Sequence, residues 1–104
     1  MNTTEDKAIA EEIARQLGPL AFRMMGTRTK FYDGPALIFD LRGSKHCNKI
    51  KVALNGNDLY DITFYKIGRA PTFTVNETRM EDVYAEDMAA IIERHTKLFL
   101  SFGR

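Results

Sequence analysis

Residues 50–67 read IKVALNGNDLYDITFYKI. Ile50, Val52 and Leu54 alternate with Lys51 and Ala53, and Tyr60, Ile62 and Phe64 alternate with Asp61, Thr63 and Tyr65. Alternation with a period of two marks a strand with one buried and one wetted face. Asn55-Gly56-Asn57 lies between the two runs, and Asn-Gly supplies the positive φ angles of a tight hairpin turn. The stretch therefore predicts an antiparallel hairpin, with Asp58 capping its turn and Asp61 on the outer face beside lysines.

Working outward on the N-terminal side, Leu37, Phe39 and Leu41 alternate with Ile38, Asp40 and Arg42, a second clear strand, and Gly43 to Asn48 is a polar loop. Thr29 to Asp33 reads as a short edge strand, turned by Asp33-Gly34-Pro35. Before it, Ile9, Ile13 and Leu17, with Ala10 and Ala14, form one apolar stripe at helical spacing, with Thr3 or Thr4 as cap. Gly18-Pro19 ends that helix. Leu20 to Met25 is a second helical turn or an irregular apolar loop. On the C-terminal side, Gly68 to Pro71 turns, Thr72 to Val75 makes a last strand, and Asn76 to Arg79 turns again. Glu81 to Thr96 reads as a long helix with acidic residues in its first half and Arg94 and Lys97 at its end, in the sense the helix dipole favours. Tyr84, Met88, Ile91, Ile92 and His95 are expected to face inward. Leu98 to Phe102 is an apolar tail expected to pack.

The prediction is a single α+β domain over residues 1–104: an N-terminal helix, an antiparallel meander of three to four strands, and a C-terminal helix. Both helices are expected on one sheet face. The other face would show Ile38, Asp40, Arg42, Lys49, Lys51, Asp61, Thr63, Tyr65, Thr72 and Thr74.

The chain has 15 Lys and Arg against 14 Asp and Glu, a formal net charge of +1, so overall charge names no partner. Its distribution is uneven. Both ends are acidic, while the middle carries Arg23, Arg28, Lys30, Arg42, Lys45, Lys49, Lys51, Lys66 and Arg69 against Asp33, Asp40, Asp58 and Asp61. With a single cysteine, no intrachain disulfide forms, and a reducing compartment is expected. The N-terminus lacks a signal-peptide apolar core, and no apolar run reaches the ~20 residues of a membrane span, so the expected location is cytoplasmic.

Catalytic signatures are missing. His46-Cys47 is the only adjacent pair of reactive types, without the spacing of a metal site. There is no Ser-His-Asp arrangement, phosphate loop or dinucleotide fingerprint. The expectation is a non-enzymatic protein with no catalytic residue, metal or cofactor. Two surfaces remain. Arg42, Lys45, Lys49, Lys51, Lys66 and Arg69, with Tyr65 to stack a base, would suit nucleic acid on the outer sheet face. Glu81, Asp82, Glu86 and Glu93 would suit a basic protein. The element order is similar to that of double-stranded-RNA-binding domains, but the basic helix start of those domains is replaced here by Glu81 and Asp82.

Leu54 to Ile67 (LNGNDLYDITFYKI), Val83-Tyr84-Ala85 with the two acidic residues after it, and Glu93 to Phe102 (ERHTKLFLSF) resemble a family of small bacteriophage-encoded proteins. Met24-Met25-Gly26-Thr27 corresponds loosely to a Met-Thr-Gly run of that family. The chain departs from the pattern at Lys97, where the family ends its helix with glycine. The resemblance implies a bacteriophage or mobile-element accessory protein and no particular activity. Together with the small size and the missing catalytic grouping, the expectation is a protein of the host cytoplasm that binds a host protein, with inhibition of a host defence complex (an anti-CRISPR-like or other anti-defence role) as its concrete form and nucleic-acid binding through the basic outer sheet face as the alternative.

Overall fold

The structure is a computed structural model that describes residues 3–69, 71, 74–98 and 100. The capping side chains of Thr3 and Thr4, Thr72–Phe73 of the expected last strand, and Phe99, Ser101 and Phe102 of the terminal tail lie outside what is described. The chain folds as α+β, in the order α1 (Thr3–Leu17), α2 (Pro19–Met25), β1 (Lys30–Asp33), β2 (Ala36–Asp40), β3 (Lys49–Leu54), β4 (Tyr60–Ile67), β5 (Val75–Val83) and α3 (Met88–Thr96). The five strands form one antiparallel meander in chain order, so β1 and β5 are its edges.

The alternation in the sequence becomes rows across the sheet. Leu37, Val52, Ile62 and Met80 stand opposite one another in one row, and Phe39, Ile50, Phe64 and Thr78 in the next. The first three members of each row are fully buried, whereas Met80 and Thr78, at the β5 end, are exposed. Ala10 and Ile13 of α1, Ala21, Phe22 and Met25 of α2, and Met88 and Ile92 of α3 join this face in one core cluster. Phe22 meets Phe39 edge to face at 5.1 Å, and Lys30 lies 4.5 Å above the Phe22 ring. Burying each large apolar side chain contributes roughly 1.5–3 kcal/mol, so this cluster supplies most of the drive to fold.

Gly18, at φ 87°, separates α1 from α2, and Gly26, at φ 71°, ends α2. Gly26 also lets the chain pass close to Arg42: a Cβ there would stand 3.3 Å from the Arg42 Cβ, while the Arg42 N–H donates to the Met25 carbonyl at 2.8 Å.

Four expectations are corrected. Among the described residues the sheet has five strands, more than the three to four expected. The hairpin loop runs over residues 55–59 rather than through a two-residue Asn-Gly turn. Gly56 lies outside the left-handed region, and Asp58, at φ 59°, supplies the positive angle. Asn55 does the capping, since its Oδ1 accepts from the N–H groups of Asn57 (2.8 Å) and Leu59 (3.2 Å). Residues 76–79 do not turn; they lie within β5. Finally, Glu81 and Asp82 belong to β5, and a 3₁₀ turn at Ala85–Asp87 precedes α3 at Met88. Pairing with β4 holds that stretch extended, and this tertiary contact overrides the helix signal of its acidic residues.

Candidate functional site

The end of β5 is shaped by a bulge. Ile62 faces Met80, but Tyr60 faces Val83, so Glu81 and Asp82 together oppose Asp61. Asp82 adopts φ 56°, which Asp tolerates better than most residues. The Asp61 carboxylate fixes this geometry: its Oδ1 accepts from the Asp82 N–H at 3.2 Å, and its Oδ2 pairs with Arg79 at 3.1 Å. Asn55 ties the hairpin loop to the same point, donating from Nδ2 to Asp61 (2.9 Å) and to the Asp82 carboxylate (2.7 Å). Partial burial pushes the Asp61 carboxyl up, but the bonds from Asn55, the Asp82 N–H and Arg79 outweigh it and hold the pKa below the usual value.

Beyond the bulge Val83 is buried and anchors the chain, Tyr84 is extended, and the Asp87 N–H donates to the Tyr84 carbonyl at 2.9 Å to close the 3₁₀ turn. Tyr84, expected to face inward, is 57% exposed, and Met80 is 40% exposed. Glu81, Asp82, Glu86 and Asp87 are exposed around them. Next to Met80, Phe64, Ile91, Arg94 and His95 line a hollow of about 160 Å³. His95 stacks on Phe64 at 4.0 Å. Burial, together with the positive charge of His46 and Lys97, lowers its pKa and favours the neutral ring at neutral pH. Three of the four acidic residues named from the sequence, Glu81, Asp82 and Glu86, therefore meet on one exposed segment. Glu93 stands apart on α3, where its carboxylate accepts from the Leu100 N–H at 2.9 Å. Sequence reasoning missed Tyr84 and Met80. Asn76, Thr78 and Met80 share one face of β5 but are not apolar as a set, so no local signal marked the strand.

The basic residues are dispersed. Lys49 and Tyr65 face each other on the sheet face away from the core, with Lys51 beside them. Lys49 lies 5.8 Å above the Phe31 ring, and Lys51 is 3.7 Å from Asp33. Lys66 falls on the core side by alternation, opposite Asn76, and Arg69 lies in the connection to β5. Arg42 and Lys45 belong to the connection between β2 and β3, with Arg42 3.8 Å from Asp40. On the open face, Asp33, Asp40, Asp61 and Glu77 are interleaved with Lys49, Lys51 and Arg79, so its charge is mixed rather than basic. Mixed charge of this kind weakens phosphate recognition, which depends on unopposed cations.

Cys47 is fully buried although it lies in the polar loop, and burial pushes its thiol up to about 11 against the opposing pull of Lys66. A thiol held protonated is a poor nucleophile. The adjacent His46 N–H donates to the Ser44 hydroxyl at 3.1 Å, and that hydroxyl donates to the Thr96 carbonyl at 2.8 Å, so the loop closes the end of α3. Among the described residues, no three His, Cys, Asp or Glu side chains converge to hold a metal ion. None of the described helices is long and apolar enough to cross a membrane. No protein-family model, curated protein or solved structure matches the chain.

Proposed function

We propose that this chain is a non-enzymatic binding protein that seats its Met80–Asp87 segment on a basic surface of a host protein. The observation that carries the reading is Tyr84, exposed among Glu81, Asp82, Glu86 and Asp87 on a segment fixed at both ends, by the bulge and by the 3₁₀ turn. A rigid, exposed tyrosine provides contact area at low entropic cost, and tyrosine is enriched among residues that dominate binding energy. Surrounding acids steer a basic partner and disfavour acidic ones. In the same reading, α1 and α3 stack on one sheet face and leave the outer edge of β5 free. The resemblance to phage accessory proteins gives the concrete form: occlusion of a basic surface on a host defence complex in the host cytoplasm.

The test is co-purification from host lysate with the wild-type chain, Tyr84→Ala and Glu81→Lys/Glu86→Lys. One stoichiometric host protein should be retained by the wild type. Its affinity should drop by at least about 2 kcal/mol in Tyr84→Ala, a hot-spot loss, with the melting temperature unchanged. Absence of a stoichiometric protein, or retention indifferent to both variants, would refute the reading.

A further inference from the structure

We propose that the β5 edge is the docking site for a second copy of this chain, paired antiparallel about a two-fold axis at Thr78 so that one sheet runs through both molecules. The two edges of the sheet differ in what they offer. β1 has 4 residues, and short edge strands are one way proteins blunt unwanted pairing. β5 has 9, and every residue but Val83 is exposed. Asn76, Thr78 and Met80 are exposed on the core side of the sheet, and α3 comes near this strand only at Met80, across the hollow lined by Ile91, Arg94 and His95. Residues 75–81 precede the kink at Asp82 and form the pairable stretch.

The charges along this stretch select one register. Around a two-fold axis, residues equally far from the axis stand opposite each other. With Thr78 on the axis, Glu77 of each copy faces Arg79 of the other, Thr78 faces Thr78, and Asn76 faces Met80. Opposite charges and paired threonines across strands stabilise a ladder, and like charges destabilise it. An axis at Glu77 or Arg79 would set like charges face to face. An axis at Met80 would draw Asp82, at φ 56°, into the ladder. Arg79 keeps its own contacts to Asp61 (3.1 Å) and Glu81 (3.9 Å), and its five N–H donors leave capacity for Glu77 of the second copy. Tyr84, Glu86 and Asp87 stay outside the ladder. The assembly would display the Asp82–Asp87 part of the proposed binding segment twice, with Met80 and Glu81 taken into the ladder, yet self-association stands or falls independently of any host partner.

Sedimentation equilibrium of the full chain tests this. The mass should rise with concentration from 11.9 kDa to twice that value. Glu77→Arg should weaken association at least about tenfold, because it sets two like-charged pairs in the ladder. Thr78→Lys and Thr78→Glu, each with like charges on the axis, should be monomeric alone and recover a dimer when mixed. Tyr32→Glu, at the other edge, should leave association unchanged. A chain that is monomeric at every concentration overturns the proposal. So does a dimer that survives Glu77→Arg, a mixture that stays monomeric, or a dimer lost through Tyr32→Glu.

Discussion

Lys97 is the residue whose backbone sits least well with its side chain. It ends α3 at φ 63° and ψ 22°, and its N–H donates to the Glu93 carbonyl at 2.9 Å. The left-handed conformation costs a residue with a Cβ roughly 1–2 kcal/mol, and glycine adopts it freely. Part of that gain is offset because glycine gives the unfolded chain more freedom. Lys97→Gly should therefore stabilise the protein by about 1 kcal/mol, a rise in Tm of roughly 4–8 °C for a chain of this size. A thermal melt decides it, and a lower Tm would mean the lysine side chain contributes more than its backbone costs. That a helix ends near Lys97 was legible in the sequence, from the inward stripe that stops at His95 and the basic residues of the last turn. The buried state of Cys47 was not, because nothing local to a polar loop reports that Ser44 draws it onto the end of α3.

At the scale of elements, legibility followed burial. α1, β2, β3 and β4 each bury one face, and their apolar residues repeat at the matching period. β5 buries only Val83, so nothing in NETRMED alternates strongly enough to outweigh the look of an acidic helix start. Its extended path depends on residues far away in sequence: Asp61, whose side chain holds the bulge, and Asn55, which joins the hairpin loop to it. The acidic members of the candidate site could thus be named from charge, while their setting on a strand edge and the exposure of Tyr84 could not. Asn55→Ala removes the side chain that accepts from two loop N–H groups and donates to two carboxylates. Net hydrogen-bond energies of about 1 kcal/mol, larger where a partner is charged, set the expected cost at about 2 kcal/mol for this partly exposed group. Urea denaturation measures it. Amide exchange at Asp82 and Val83 should also quicken, because the bulge loses its tie to the loop. A cost below about 0.5 kcal/mol would show that the loop and β5 hold their geometry without this link.

For the whole molecule, three kinds of titrating group bound the pH range of stability. The buried Cys47 thiol is raised from 9.0 to about 11, so above pH 9 the unfolded chain releases its proton first. Stability should fall between pH 9 and about 11, by roughly 2–3 kcal/mol in all. On the acid side, His95 is lowered from 6.5, chiefly by burial, so the unfolded chain takes up a proton first as the pH drops through 6.5. Asp61 is lowered from 3.8, and so is Asp40, whose partial burial is outweighed by N–H bonds from Thr29 and Arg28 and by the charge of Arg42. Below 3.8 the unfolded chain protonates these carboxylates before the folded one does, so their stabilisation is lost there. The urea midpoint should hold a plateau from about pH 7 to 9, decline gently below 6.5, and fall steeply below 4. Cys47→Ala isolates the alkaline limb. The variant is less stable below pH 9 because it leaves a cavity, but the difference between the two proteins should shrink as the pH rises from 9 to 11. A difference that stays constant across that interval would mean that Cys47 ionises as readily in the folded chain as in the unfolded one, and that the loop around it admits water.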